Sequence, residues 1–420
     1  MRGRRVRDSE GVFISQAYET RRRHERLRGL WLFFLVGATA CGVLALRAQH
    51  EWATVKRAPM GQFAGAATLM SDPTPFGVGS SVRAVFRVQG WRYEASLFGG
   101  DARRVARHLA GESVWISALR SEVPEQYRKR SYTRHIVGRL TDIHLSSQWR
   151  DGSSFTRATN RLRRLLTKGA SHLPANEAAL LLGLIIGDDR AQPREMIDSF
   201  RDSGLSHLTA VSGQNIAFVI AAASPLLTRL RPRARLFTSL AVLGWFTVIT
   251  RAEPSVLRAA AMASLAVVSF TFDWAIRASV VLGISAYGLC LIDPMLLWSV
   301  GFWLSVGATA GLVFVMAPLS RVLTRWKCPR LLVSPLASTL GAQVGTALPM
   351  FLAFGRIAPI GIVTNLFAVP VAGVVMLVGL PVCLIAGLTG AVGSVVTIPL
   401  AFGVRWVWWV AVIGQRLTNG

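Results

Sequence analysis

Cysteine is rare in this chain. Cys41, Cys290 and Cys383 fall in apolar runs and Cys328 in a basic loop. None lies in the polar region between the first hydrophobic run and the later ones, so no disulfide framework supports that region. Metal-ligand spacing is absent too: there is no CxxC, HExxH or HxHxDH. That excludes the common zinc motifs and leaves no metal or cofactor to expect. No glycine-rich phosphate-binding loop occurs either, which removes any visible means of hydrolysing ATP. Acidic residues are also few. Only 22 Asp and Glu stand against 47 Lys and Arg, for a formal net charge of +25. Basic cytoplasmic loops and attraction to anionic lipid account for part of that excess, and a polyanionic substrate is the sharper alternative.

What the chain has in quantity is apolar sequence. It is 52% hydrophobic, and several runs approach the ~20 residues needed to span a bilayer. The expected fold class is therefore a polytopic α-helical membrane protein with a small extracytoplasmic β domain. Residues 1–29 are a basic cytoplasmic N-terminus, with "RGRRVR" and "TRRRHERLRG". Residues 30–47 are a transmembrane anchor; Arg47 at its end gives no small-residue cleavage site, so the anchor is expected to be retained. The following segment is then outside.

Residues 48–150 alternate apolar and polar positions. In "SVRAVFRVQGWRYEASLFGG", Val82, Ala84, Phe86 and Val88 precede Gln89-Gly90, and Trp91, Tyr93, Ala95 and Leu97 follow it. Period two on both sides of a turn predicts a β-hairpin. "GESVWISALR" and "HIVGRLTDIHL" predict two further strands, and about five short strands suggest a small barrel or sandwich, with an oligonucleotide/oligosaccharide-binding (OB-like) barrel among the candidates. Residues 151–176 hold an amphipathic helix. Phe155, Ala158, Leu162, Leu165 and Leu166 take one face, and Arg157, Arg161, Arg164 and Lys168 the other. Such a helix suits the membrane surface, where the basic face meets headgroups or DNA. Packing on the β domain is the alternative.

Residues 177–420 are expected to form a multi-helix membrane domain, with passes near 205–228, 235–250, 254–272, 277–292, 294–317 and 331–354, a long apolar stretch to 389 that makes one tilted pass or two, and 393–414. The loops "TRLRPRAR" and "SRVLTRWKCPR" are basic and should both be cytoplasmic; the four passes between them agree. "ALLLGLIIG" is too short to span and is expected to be re-entrant or interfacial. In "GDDRAQPREMIDSFRDSG", Asp188 and Asp189 could bind a divalent cation, and a solvated mouth with local ion pairs is the competing reading.

The first half of "SGLSHLTAVSGQNIAFVIAAASPLL" is polar. His207 and Gln214 share one helix face, and Thr209, Ser212 and Asn215 form an adjoining ridge. Ser212-Gly213 predicts a break or kink, and irregular backbone at membrane depth is tolerated only inside protein or beside a water-filled cavity. These residues line a pathway or hydrogen-bond neighbouring helices. Arg258, one turn into an apolar helix, is a second candidate; it snorkels, pairs with Glu253 or faces the path. Asp293-Pro294 opens a helix, and Gln343, Thr346 and Asn365 are weaker candidates.

These stretches together resemble the ComEC-type family of DNA-uptake channels. "LLLGLIIGDDR" resembles its leucine-rich segment, "FRDSGLSHLTAVSGQNI" its signature, and "PSVLRAAAMA", "DPMLLWSVGFWLSVGATAGL" and "LPMFLAFGRIAPIGIVTNLFAVPV" its later membrane segments in the same order, over about 177–380. The resemblance implies an inner-membrane channel, not an enzyme, that passes single-stranded DNA to the cytoplasm in natural transformation. Carried over by position, His207, Ser212, Gly213, Arg258 and Asn365 fall on the family's motifs, while Gln214 and Asn215 sit where it varies. The expected partners are single-stranded DNA, membrane lipids, a DNA receptor and a cytoplasmic helicase motor or single-strand-binding protein, and a homodimer is open. Many members carry a metallo-β-lactamase-like nuclease domain built on a His/Asp cluster. His207 is the only histidine here after His172, so a separate nuclease is implied.

Two other classes compete. A secondary transporter of a small anion or lipid precursor should show inverted internal repeats, and none is visible. An intramembrane serine protease would use Ser212 and His207, yet on a regular helix these lie about 140° apart.

Overall fold

The computed structural model describes residues 37, 39–77, 80–209, 213–355, 360–390 and 392–419. The chain divides at Thr54/Val55. The described part of the first unit is a helix, α1, running over 39–55 across that boundary. Residues 48–55, expected to open the β domain, are thus helical; residues 1–36 lie outside the described residues.

The second unit opens with a six-stranded sheet: β1 (Gly61–Leu69), β2 (Thr74–Pro75), β3 (Ser81–Val88), β4 (Trp91–Phe98), β5 (Ser113–Glu122) and β6 (Ile136–Arg150). Two short helices interrupt it, α2 (Gly99–Val105) and α3 (Glu125–Tyr132). The order is β1-β5-β6-β4-β3-β2, with β4 and β6 parallel. β1 also pairs with β3 through Thr68↔Arg87 and Leu69↔Phe86. The hairpin read from period-two alternation is β3–β4, paired from Ser81↔Phe98 to Val88↔Trp91. Its two turn residues have φ of 50° and 87° at Gln89 and Gly90, the left-handed pair that a two-residue hairpin requires. The inward positions Phe86, Val88, Tyr93 and Ala95 are fully buried.

The remainder is helical: α4 (Ser154–Ala170), α5 (Ala175–Ile186), α6 (Arg194–Asp202), α7 (Ser206–Thr209), α8 (Gly213–Leu227), α9 (Pro232–Ile249), α10 (Pro254–Thr271), α11 (Ala278–Ile292), a 3-10 turn (Pro294–Trp298), α12 (Val300–Phe314), α13 (Met316–Arg325), α14 (Arg330–Phe354), α15 (Gly361–Thr389) and α16 (Val392–Asn419). Among the described residues, three stretches are long and apolar enough to cross a membrane: Arg330–Ala353, Gly361–Thr389 and Gly393–Thr418. The α12–α13 pair, bent by 49°, makes a fourth if counted as one span. Several expected passes are shorter; α11, at 15 residues, rises about 22 Å against a hydrocarbon core of ~30 Å. The stretch to residue 389 is one helix, α15, which continues through Pro370 and Pro381.

Two packing features position the site. α15 is the axis of a core built with α4, α5, α6 and α16, including Leu166, Leu181, Ile185, Phe200, Met376 and Val404. α5 is buried within the protein: Leu180 to Ile186 are all buried, and Gly187 stops it in the left-handed conformation at φ 69°. α12 and α14 meet through glycine. A Cβ on Gly311 would lie 1.9 Å from the Gly341 carbonyl oxygen, and one on Gly345 would lie 2.0 Å from that of Gly307. "GATAG" and "GAQVG" thus bring two backbones into contact, the small-xxx-small packing of membrane helices.

Candidate functional site

Arg258 lies one turn into α10 and is 4% exposed. It neither snorkels nor pairs with Glu253. Ser305 Oγ of α12 accepts from its Nε at 2.8 Å and also from Nη2, and Thr309 Oγ1 accepts from Nη1 at 2.9 Å. Met262 Sδ, one turn along α10, accepts from Nη1 at 3.3 Å. All are uncharged, and among the described residues no carboxylate pairs with this guanidinium. Ser305 and Thr309 were missed from sequence; their i, i+4 spacing on one face of α12 was the available signal.

Gly213 of α8 lies against this group. A Cβ there would stand 3.4 Å from Arg258 Nη2 and 3.2 Å from Ala259 Cβ. The break expected near residues 212–213 falls on residues 210–212, Ser212 among them, which lie outside the described residues. The rest of the polar stripe divides. His207 is exposed, with Nδ1 3.2 Å from the Gly204 carbonyl oxygen. Gly204 and Gln343 Nε2 of α14 both adjoin Gly361 at the start of α15. Thr364 Oγ1 donates to the Ser203 carbonyl at 2.8 Å, and the buried Oδ1 of neighbouring Asn365 has no hydrogen-bond partner among the described residues. Gln214 is exposed. Asn215 is 2% exposed, and its Nδ2 donates to the Leu184 carbonyl at 2.8 Å. Asn215 therefore fastens α8 to α5, the packing alternative.

A second constellation lies where β1 and β2 approach the helices. Asp72 accepts from Arg251 at both oxygens, 2.6 Å to Nη2 and 3.1 Å to Nε. It also pairs with Arg163 Nη2 at 3.0 Å, and the same nitrogen is 3.0 Å from Asp188 Oδ2. Arg190 clasps Asp188 through Nε at 2.7 Å and Nη2 at 2.6 Å. Both carboxylates are thus engaged by guanidinium groups; the Asp188–Arg190 contact is the local ion pair that one sequence reading expects, and Asp189 is exposed. Burial pushes the Asp72 and Asp188 carboxyls up, but the surrounding arginines hold both below the ordinary value. Asp189 is pushed up by burial and by Asp188. Glu253 is pushed to about 7, first by burial and then by Asp189, with Arg163 and Arg134 opposing. Arg251 and Ala252 hold the α9–α10 turn with φ of 61° and 53°, an uncommon backbone for residues with a Cβ.

α4 contributes to this constellation. The helix packs into the protein: Gly169 meets the Cys383 carbonyl and Gly387 meets that of Leu165, both between α4 and α15. Phe155 is 56% exposed, whereas Arg163 and Asn160 are each 4% exposed. The hidden side is half polar because it faces Asp72 and Asp188. Arg157, Arg161, Arg164 and Lys168 are exposed as expected, although Arg164 Nη2 is 2.7 Å from Glu112 Oε1 and Arg157 donates to the Gly152 carbonyl and Ser154 Oγ. A third contact joins strands to helices, His135 Nε2 to Asp293 Oδ2 at 3.0 Å.

Two curated proteins are similar to part of the chain. ComE operon protein 3 of Bacillus subtilis (strain 168) is 28% identical over 204 residues, covering 48% of this chain and 25% of that protein. The uncharacterized protein YcaI of Escherichia coli (strain K12) is 26% identical over 207 residues, covering 46% of this chain and 27% of that protein. The chain thus spans about a quarter of the length of the curated relatives it matches. No solved structure matches it. The model of the competence protein family matches residues 184–419. That match takes in α6 to α16, with Arg258, Ser305, Thr309, Gly213 and Asn365 inside it, and covers more than half of the sequence: the chain belongs to the competence protein family.

Proposed function

We propose that this protein is a multi-pass channel of the inner (plasma) membrane that passes single-stranded DNA into the cytoplasm during natural transformation, without acting as an enzyme. The observation that carries the reading is Arg258, a buried cation held by neutral groups beside Gly213 and within the family match. An ionisable group in an apolar bundle marks an ion or substrate route by default, and the passing ion here is a polyphosphate strand.

The surroundings support this reading. The loops of the β domain touch the helices at Arg251, Arg163 and Asp293. Arg251 and Asp293 follow α9 and α11, the ends opposite the basic 228–235 loop, so the β domain belongs on the extracytoplasmic side with the N-terminus inside. The pairing of β1 with both β5 and β3 and the parallel β4–β6 pair favour a closed OB-like barrel. Its stacked His108 and Trp149, with centroids 3.7 Å apart, and the exposed Trp115 and Phe155 suit base stacking. Arg161 and Lys168 would attract phosphates or headgroups. Partners would be lipid, a DNA receptor, a separate nuclease and a cytoplasmic motor or single-strand-binding protein, with a homodimer as a further arrangement.

The test is a deletion strain given labelled DNA, restored with the wild-type gene or with Arg258→Gln at equal protein level. Uptake should return with the first and fall at least tenfold with the second. Full uptake in the deletion strain would exclude the function.

A further inference from the structure

A guanidinium has five N–H donors. Among the described residues, the bonds to Ser305, Thr309 and Met262 use four of them, and the fifth belongs to Nη2. That is the nitrogen facing Gly213, 3.4 Å from where a Cβ would stand. The acceptors fix the plane of the group but cancel none of its charge, and a charge removed from water without a counter-charge is costly. Gly213 brings backbone alone, with no side chain, up to the remaining donor. A buried cation with neutral clamps and a donor unused among the described residues has the chemistry of an oxyanion cradle.

We infer that Arg258, oriented by Ser305 and Thr309 and flanked by the side-chain-free Gly213, binds a single phosphodiester monoanion of the translocating strand. This deepens the channel reading and rests on it. Arg258 makes the contact, while Ser305 and Thr309 are positioning residues that stop the guanidinium from turning to follow a departing phosphate. One phosphate is held at a time by one cation, which leaves the strand free to advance.

The test uses the full chain in lipid nanodiscs and a fluorescent twenty-residue oligothymidylate, titrated over a range of salt. The matching methylphosphonate oligomer, whose backbone is neutral, is the second probe. Arg258→Gln should lower the slope of log affinity against log salt by about 0.7, the value for one phosphate on a single strand. It should leave methylphosphonate binding unchanged. Ser305→Ala/Thr309→Ala should weaken the phosphodiester oligomer roughly fivefold, as expected for a charge-assisted bond losing its orientation, again sparing the neutral one. Gly213→Leu should do the same by covering Nη2. Arg258→Lys, which keeps the charge, should keep the slope. An unchanged slope in Arg258→Gln overturns the inference and leaves Arg258 a packing residue. Native mass spectrometry showing an Arg258-dependent phospholipid with the oligonucleotide slope unchanged also overturns it, giving the phosphate to a headgroup. If wild type binds neither oligomer, the channel reading itself fails.

Discussion

Asp72 grips Arg251 with both carboxylate oxygens, at 2.6 Å and 3.1 Å, and so ties the loop after β1 to the turn between α9 and α10. Arg163 sits between this pair and Asp188, 3.0 Å from each carboxylate. Removing one partner of such a buried set leaves the others uncompensated. Asp72→Ala should destabilise the protein by about 3–5 kcal/mol, measured by thermal unfolding in detergent. Exchanging the pair, Asp72→Arg with Arg251→Asp, should recover part of the loss. Equal stability of Asp72→Ala and wild type would deny the clamp any energetic role.

Glu253 sets a pH dependence of opposite sign to that of Asp72 and Asp188. Its folded pKa, raised to about 7 from 4.5, means that the folded protein binds the proton more tightly. Stability from this group is complete below about pH 4.5 and declines as pH rises towards 7. Asp72 and Asp188, held low by their arginines, give stability that is present above about pH 4 and is lost on further acidification. Melting temperature against pH should therefore fall between pH 5 and 7.5, and Glu253→Gln should flatten that limb alone. A decline unaltered by the substitution would assign it to another group.

The glycine contact of α12 and α14 has no room for a methyl group. Gly345→Ala places a Cβ 2.0 Å from the Gly307 carbonyl oxygen, so the helices must part. A loss of about 1–3 kcal/mol is expected from such overpacking. Gly283 of α11 has nothing within 4 Å, so Gly283→Ala should be neutral or gain up to about 1 kcal/mol from helix propensity. Matched losses at the two positions in a thermal melt would refute the contact.

Asn215→Ala should cost about 1–3 kcal/mol, because the buried Leu184 carbonyl loses the Asn215 donor. The salt slope for the oligothymidylate should stay at the wild-type value. A lowered slope would return Asn215 to the pathway.

How much was legible depended on whether a feature leaves a period in the sequence. The β3–β4 hairpin did, because Phe86, Val88, Tyr93 and Ala95 alternate with polar residues around a turn that admits positive φ. Arg258 was visible as a charge in an apolar run, yet Ser305 and Thr309 were not, because small hydroxyl residues are unremarkable in a hydrophobic helix. The clamp was hidden for another reason. Arg163 falls on the inward side of α4, where amphipathic reasoning expects no charge, and its partners Asp72 and Asp188 come from distant loops. In sequence Asp188 stands beside Asp189 and near Arg190, which favours a local explanation. The polar stripe on α7–α8 has the spacing of one surface, whereas the fold turns Asn215 towards α5 and leaves His207 and Gln214 exposed.

The order in which the chain is made gives the Asp72–Arg251 pair a place in time. The two residues are 179 apart, and translation at ~5–20 residues per second separates them by roughly 10–35 s. During that interval the strands can close on themselves, since every strand pairing lies between residues 61 and 150. Asp72 can meet Arg163 once α4 has been made, but its two-oxygen partner arrives only with the α9–α10 turn. Closing of that clasp is therefore a late step of assembly, and it reports that the α9–α10 hairpin has been completed.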